Sequence, residues 1–235
     1  MHLDELKNAV LHRWNLQQIH DVDFNGLPLL QRSPRTILDI GANLGQSIVS
    51  LRVLFPDAVI HSFEANPLLL PSLTEVSQAL PGTNSVHGFG LSNIEGTFEL
   101  NVPYSGETPY LEESSIKIDY YELPWVKEKF EERGGLSKLE KIECRIRKGD
   151  LLQLSPDIIK VDVEGAEALV LEGLRETIHK YHPTILVENS DWANVTQLLN
   201  SLGYLPRKYD PTTASIVPMD GPTTNTFYIH ETSLA

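Results

Sequence analysis

The stretch Thr36-Ile37-Leu38-Asp39-Ile40-Gly41-Ala42-Asn43-Leu44-Gly45 limits the folds open to this chain more than any other. Aliphatic and β-branched residues run into an acid and then into a turn carrying two glycines. The segment that follows, Gln46 to Phe55, spaces its apolar side chains at helical intervals. A buried strand, a tight turn and a helix start in that order form the unit that holds nucleotides at the strand tips of open α/β sheets. Glycines let the backbone approach a ligand closely, and the helix start presents N–H groups with no partner in the helix.

The same turn narrows the ligand. A dinucleotide fingerprint asks for Gly-x-Gly-x-x-Gly so that a pyrophosphate can rest on bare backbone. Here Asn43 and Gln46 occupy the second and third glycine positions, and only Gly41 fits. A nucleotide without a pyrophosphate, such as S-adenosylmethionine, does not impose all three. Val59 to Glu64 reads as the second strand, and Glu64 falls about 20 residues past the turn, where an acid grips a ribose diol.

An α/β rhythm continues from there. Strands at 36–40 and 58–64 alternate with helices at 44–55 and 68–79, and a third strand is expected from Ser85 to Leu91. This alternation predicts right-handed crossovers and a mostly parallel sheet with helices on both faces. It stops over residues 94–148, which read as an excursion across one rim of the sheet: a strand near 94–102, a charged insertion at 103–141 holding a helix near 119–133, and a half-exposed strand at 142–147. The rhythm resumes with a strand at 157–163, a helix to about 179, a strand at 183–188 and a helix at 191–202. A closing strand, Asn225 to His230, makes an antiparallel edge. Residues 1–33 form a separate leading segment with an amphipathic helix, and residues 34–235 form one domain.

Composition sets the outer bounds. With 235 residues the chain suits one domain, and its 41% hydrophobic content is that of a globular protein. No 18-residue apolar run spans a membrane, and the charged start lacks the apolar core of a signal peptide. Cys144 is the lone cysteine, so neither an internal disulfide nor a cysteine-clustered zinc site can form, and the cytoplasm is the expected compartment. The formal charge of −13 makes nucleic acid a poor partner, despite the local run Lys138, Lys141, Arg145, Arg147 and Lys148, which reads as a solvated strand face.

Acids end four of the expected core strands: Asp39, Glu64, Asp162 and Glu188. Parallel strand tips face one crevice, so these side chains converge on one ligand. Asp39 is expected to orient the turn and the ligand's ammonium group, and Glu64 to accept from two ribose hydroxyls. Gly90-Leu91-Ser92-Asn93 is positioned for an adenine, with Leu91 and Ser92 in contact. Lys160-Val161-Asp162-Val163-Glu164-Gly165-Ala166-Glu167 crowds three carboxylates at a strand end and helix start. Glu167 there is ordinary capping chemistry. Asp162 and Glu164 face the reacting centre, where crowding raises a pKa and leaves a proton acceptor near neutrality. Glu188 joins them as a catalytic candidate. Lys160 either pairs with one of these acids or sits at a sheet edge.

These stretches, with Phe63-Glu64-Ala65-Asn66-Pro67, Val170-Leu171-Glu172-Gly173 and the Pro183 to Glu188 strand, resemble the FkbM family of S-adenosylmethionine-dependent methyltransferases from residue 36 to about 190. The resemblance implies a Rossmann-like class I methyltransferase fold with a seven-stranded sheet, and O-methylation of a hydroxyl on a small molecule or carbohydrate. It also implies cofactor binding by Asp39, Gly41, Asn43, Gly45 and Glu64, with Asp162 and Glu164 on the acceptor side. Ala65 stands where the family usually has proline. The first 30 residues and the insertion match no motif, and substrate choice is assigned to them.

Competing functions fare less well. An amino-methyltransferase acting on bases needs an Asn/Asp-Pro-Pro-aromatic motif where Asp162-Val163-Glu164-Gly165 stands. A nicotinamide dehydrogenase shares the fold but not the turn. Two alternatives stay open: a magnesium-assisted O-methyltransferase using Asp162, Glu164 and Glu188, although no metal site is expected, and a non-catalytic nucleotide-binding protein on the same scaffold. His61 and His87 lie on core strands near the expected pocket. Sequence leaves the oligomeric state open.

Overall fold

Strand β1 (Thr36–Ile40) lies between two parallel neighbours, β2 (Val59–Phe63) and β8 (Ile158–Val161), and is the middle one of the five parallel strands. The computed structural model describes residues 3–116, 118–189, 191–219 and 221–233. The main sheet runs β11-β10-β12-β9-β8-β1-β2-β3. Its parallel part is β3 (Thr83–His87), β2, β1, β8 and β9 (Thr184–Glu188); β12 (Asn225–His230), β10 (Tyr204–Asp210) and β11 (Ser215–Pro218) close it antiparallel. The sheet thus has eight strands where the family resemblance implies seven, and the hairpin of β10 and β11 corresponds to no strand read from the sequence.

Strand periodicity divides the core between two faces. Ile37, Ile60, Ile158, Leu186 and Phe227 point to one face, under α1 (Leu3–Asn15), α3 (Gln46–Leu54) and α4 (Leu70–Ala79). Their neighbours Leu38, Ile40, Ile159, Ile185 and Tyr228 point to the other, under α6 (Glu167–Gly173), α7 (Arg175–Tyr181) and α8 (Trp192–Asn200). Helix α1 packs on α3 and α4, and none of its residues lines the cavities described below. The short α2 (Leu27–Leu30) follows it, with Leu27 fully buried.

Three expectations need correction. The third strand ends at His87, and Gly90–Ser92 is a separate strand, β4, that leaves for a second sheet of order β4-β7-β5-β6. The bend at Gly88-Phe89-Gly90 makes that change of sheet, which continuous apolar spacing had hidden. The helix drawn from 167 to about 179 is two helices meeting at Leu174. The helix near 119–133 is α5 (Pro124–Glu131), preceded by a 3-10 turn over Ile118–Glu122.

The excursion is built on the long antiparallel pairing of β5 (Gly96–Ser105) with β7 (Lys138–Lys148), to which β6 (Thr108–Pro109) adds a short edge. Tyr121, Val126 and Phe130 form its own small core. Along β7 the basic residues meet acids: Lys141 lies 2.7 Å from Glu99 and Arg147 3.3 Å from Glu95.

Candidate active site

The β1 turn is bent by backbone that side chains rarely adopt. Gly41 has φ +77°, Asn43 φ +49° and Gly45 φ +98°. A Cβ on Gly41 would lie 1.6 Å from the Asp162 carbonyl oxygen, so only glycine lets this turn pass the tip of β8. Gly41 and Ala42 donate their N–H groups to the Phe63 carbonyl at 2.9 and 3.1 Å, tying the turn to β2. A Cβ on Gly45 would press on Val76 at 2.9 Å, so Gly45 serves the packing of α3 on α4.

Glu64 binds the turn from the next strand. Its Oε2 accepts from the Asn43 N–H and its Oε1 from the Asn66 N–H, each at 2.8 Å. Burial raises its pKa above the ordinary carboxylate value, although these two hydrogen bonds and Lys160 work the other way. Each oxygen keeps a second lone pair for a ligand hydroxyl.

Behind the turn lies a buried ionic cluster. Lys160 donates to the Gly41 carbonyl at 2.9 Å and stands 3.3 Å from Asp162 and 3.6 Å from Asp39. Burial works against its charge, but the Asp162 and Asp39 carboxylates outweigh it and the ammonium pKa is raised. Asp39 is fully enclosed and accepts from Ser47 and Ser62 at 2.8 and 3.3 Å. Lys160 thus pairs with acids in a central strand, and the sheet-edge alternative is set aside.

A cavity of about 530 Å³ opens at these strand tips. Gly41, Asn43 and Glu64 form one wall, and Leu91 and Ser92 lie beside apolar Phe98, Ile146 and Leu169. Asp162, Glu164 and Glu188 line it as well. Eight of the ten candidate residues are therefore brought together. Asp39 and Gly45 are not on the wall: Asp39 is fully buried behind the turn, with Ser47 and Ser62 both bonded to its Oδ2, so it does not line the space where a ligand's ammonium group was expected, and Gly45 faces α4. His61 and His87 are also off the wall; His61 stacks on His87, which in turn stacks on Phe63.

Glu164 projects from a strained bend. Its φ is +53° and that of Gly165 is +103°, a pair of left-handed residues between β8 and α6. Gly165 donates its N–H to the buried Glu167 at 2.9 Å, which fixes the bend. Glu164 and Glu188 are exposed along the cleft. Desolvation within the cleft, then the charge of Asp162, push the pKa of Glu164 up to about 7, with Glu167 and Glu113 adding to it. Glu188 is pushed up to about 7 by desolvation, Asp162 and Glu164. Among the described residues no group of three or more His, Cys, Asp or Glu side chains is arranged to hold a metal ion.

A second cavity, of about 590 Å³, shares only Glu164 and Glu188 with the first. Apart from these and Gly165 its walls come from the insertion: Glu113, Asp119, Tyr120, Trp125 and Lys129 among them. Glu113 is buried, forms an ion pair with Lys129 and accepts from the Tyr120 hydroxyl at 2.9 Å. Sequence reading named none of these residues. Their one signal was the clustering of aromatics and charges at 110–130 outside any motif.

Residues 39–206 match the family model of the methyltransferase FkbM domain, a span from the β1 turn through the Asp162–Glu167 bend to β10. The chain belongs to the FkbM methyltransferase domain family. Methyltransferase sdnD of Sordaria araneosa is 29% identical over 204 residues, which is 78% of this chain and 75% of that protein. The crystal structure of methyltransferase FkbM from Methylobacillus flagellatus KT superposes with a TM-score of 0.52 at 16% identity, over 84% of this chain. That likeness is one of fold, and the chain spans 44% of the length of the solved protein. The FkbM match leaves α1, β11 and β12 outside it.

Proposed function

We propose that this FkbM-family chain transfers the methyl group of S-adenosylmethionine to a hydroxyl of a small-molecule or carbohydrate acceptor. The observation that carries this reading is the meeting of two cavities at Glu164 and Glu188: one lined by the turn and Glu64, the other by the insertion.

The residues present fit the cofactor. Asn43 lines the first cavity, and its Oδ1 is buried with no hydrogen-bond partner, an acceptor available to a ligand donor. The remaining lone pairs of Glu64 suit a vicinal diol, and the apolar flank at Leu91, Phe98 and Ile146 suits a flat base. When bound, S-adenosylmethionine supplies an electrophilic methyl group on a sulfonium.

The chain's own contribution to the reaction is proton removal and placement. An acceptor hydroxyl in the second cavity donates its proton to a carboxylate oxygen of Glu164 or Glu188, and the oxygen left behind is the nucleophile. A pKa near neutrality suits this, because the group is ionised often enough to act yet basic enough to hold the proton. Asp162, held by Lys160 at 3.3 Å, keeps the bend in position and raises both neighbours. In this reading residues 34–235 form the catalytic unit and residues 1–33 brace it.

The test is methyl transfer from isotopically labelled S-adenosylmethionine to a panel of hydroxyl-bearing metabolites and glycans, with and without a chelator. Glu164→Gln is expected to keep cofactor affinity and lose transfer. Cofactor binding without transfer to any hydroxyl would favour a binding protein on this scaffold. Chelation loss restored by Mg²⁺ would favour the metal-assisted route.

A further inference from the structure

We propose that the second cavity is the acceptor pocket and that it takes a hydroxylated molecule carrying a protonated amine. The proposal rests on the methyl-transfer reading for its function, but its chemistry is argued from the pocket alone.

Three features of the pocket converge. The first is position: it meets the first cavity at Glu164 and Glu188, so an acceptor seated in it presents a hydroxyl at those carboxylates. The second is an aromatic wall. Tyr120 and Trp125 stand edge to face with ring centroids 5.6 Å apart, and Trp125 is 53% exposed, leaving π surface for an occupant. Such faces attract cations through the ring quadrupole.

The third is charge. Among the described lining residues the one cation is Lys129, and it is paired with the buried carboxylate of Glu113, which Tyr120 also holds. Asp119, Glu164 and Glu188 are then left facing the cavity with no lysine or arginine among the other described lining residues. A phosphate or carboxylate on the acceptor would meet this field at a cost. An ammonium group meets carboxylates and a ring face together, and its presence would relieve the crowding that burdens Glu164 and Glu188. A neutral polyol gains the ring contact but not the charge.

The experiment uses the full chain with S-adenosylhomocysteine at saturation and three probes of one shape: trans-2-aminocyclohexanol, cyclohexane-1,2-diol and 2-hydroxycyclohexanecarboxylate. Binding is followed by ligand-observed NMR and tryptophan fluorescence, which do not need turnover. The aminoalcohol is expected to bind about tenfold more tightly than the diol, with the carboxylate weakest, and the gap to shrink at high salt. Trp125→Ala and Asp119→Asn, both at exposed positions, are each expected to weaken the aminoalcohol by roughly three- to tenfold and to leave homocysteine-nucleoside affinity unchanged. Equal binding of diol and aminoalcohol, or preference for the carboxylate, overturns the proposal. If S-adenosylhomocysteine fails to bind while the aminoalcohol binds as stated, the methyl-transfer reading falls and the pocket's cation preference stands. If S-adenosylhomocysteine binds and the aminoalcohol does not, this inference falls alone.

Discussion

The Glu64 carboxylate accepts the Asn43 N–H at 2.8 Å, so the residue that follows β2 holds the turn that follows β1. The same carboxylate lines the first cavity, and its second oxygen is tied to the Asn66 N–H. One side chain thus shapes the turn and presents lone pairs to whatever the turn holds, so ligand affinity and loop order are linked through it.

Lys160→Met is expected to destabilise the fold by about 3–5 kcal/mol, because it strands the carboxylates of Asp39 and Asp162 without their cation. The lost donor to the Gly41 carbonyl loosens the turn as well. Urea denaturation measures the first effect and cofactor titration the second. A loss below about 1 kcal/mol would mean that water already compensates the two acids.

Gly41→Ala is expected to abolish cofactor binding. The left-handed backbone alone costs a side chain about 1–2 kcal/mol, and a Cβ 1.6 Å from the Asp162 carbonyl oxygen forces β1 and β8 apart at the site. Calorimetry with S-adenosylhomocysteine checks the binding, and denaturation confirms that the variant is folded at the temperature used. Retained affinity would show that the turn can move without consequence.

Turnover and stability are expected to run in opposite directions with pH. Only the ionised carboxylate accepts a proton, so kcat rises through about pH 7, the value to which Glu164 and Glu188 are pushed, and then levels. Both pKa values are raised above the ordinary 4.5, so their contribution to stability is full below that value and is lost as pH rises through about 7. Water in the open cleft keeps the stability change small. Thermal melts and kcat across about pH 5 to 9, for wild type and Glu164→Gln, test both signs. A kcat that falls through pH 7 in the wild type would remove the carboxylate from its role as base.

The sequence was most legible where the fold is most local. Strands β1, β2, β8 and β9 are short apolar runs bounded by turn residues, and buried strands of this kind announce themselves. Three of the four acids read at their tips, Glu64, Asp162 and Glu188, line the cavity. Strands β10 and β11 were hidden because their hairpin carries Pro206, Arg207 and Lys208 and fully buries only Tyr204, too little to set a period. Arg52 is polar in sequence, yet it is 1% exposed and donates to the carbonyls of Phe55, Pro56, Ala58 and Thr83. Asp39 was read as facing a ligand because strand-end acids share a crevice; its bonds to Ser47 and Ser62 turn it inward, which spacing alone does not encode. The Tyr120–Trp125 wall depends on how the insertion folds back over Glu164, a long-range contact without a motif.

The most direct measurement is titration calorimetry of S-adenosylhomocysteine into the wild-type chain and Glu64→Gln. Binding to the wild type, weakened about 10- to 100-fold in the variant, is expected, since a hydrogen bond to a charged group contributes about 1.5–3 kcal/mol. No binding to the wild type, or equal affinity in both proteins, would contradict the assignment of the first cavity to this nucleotide.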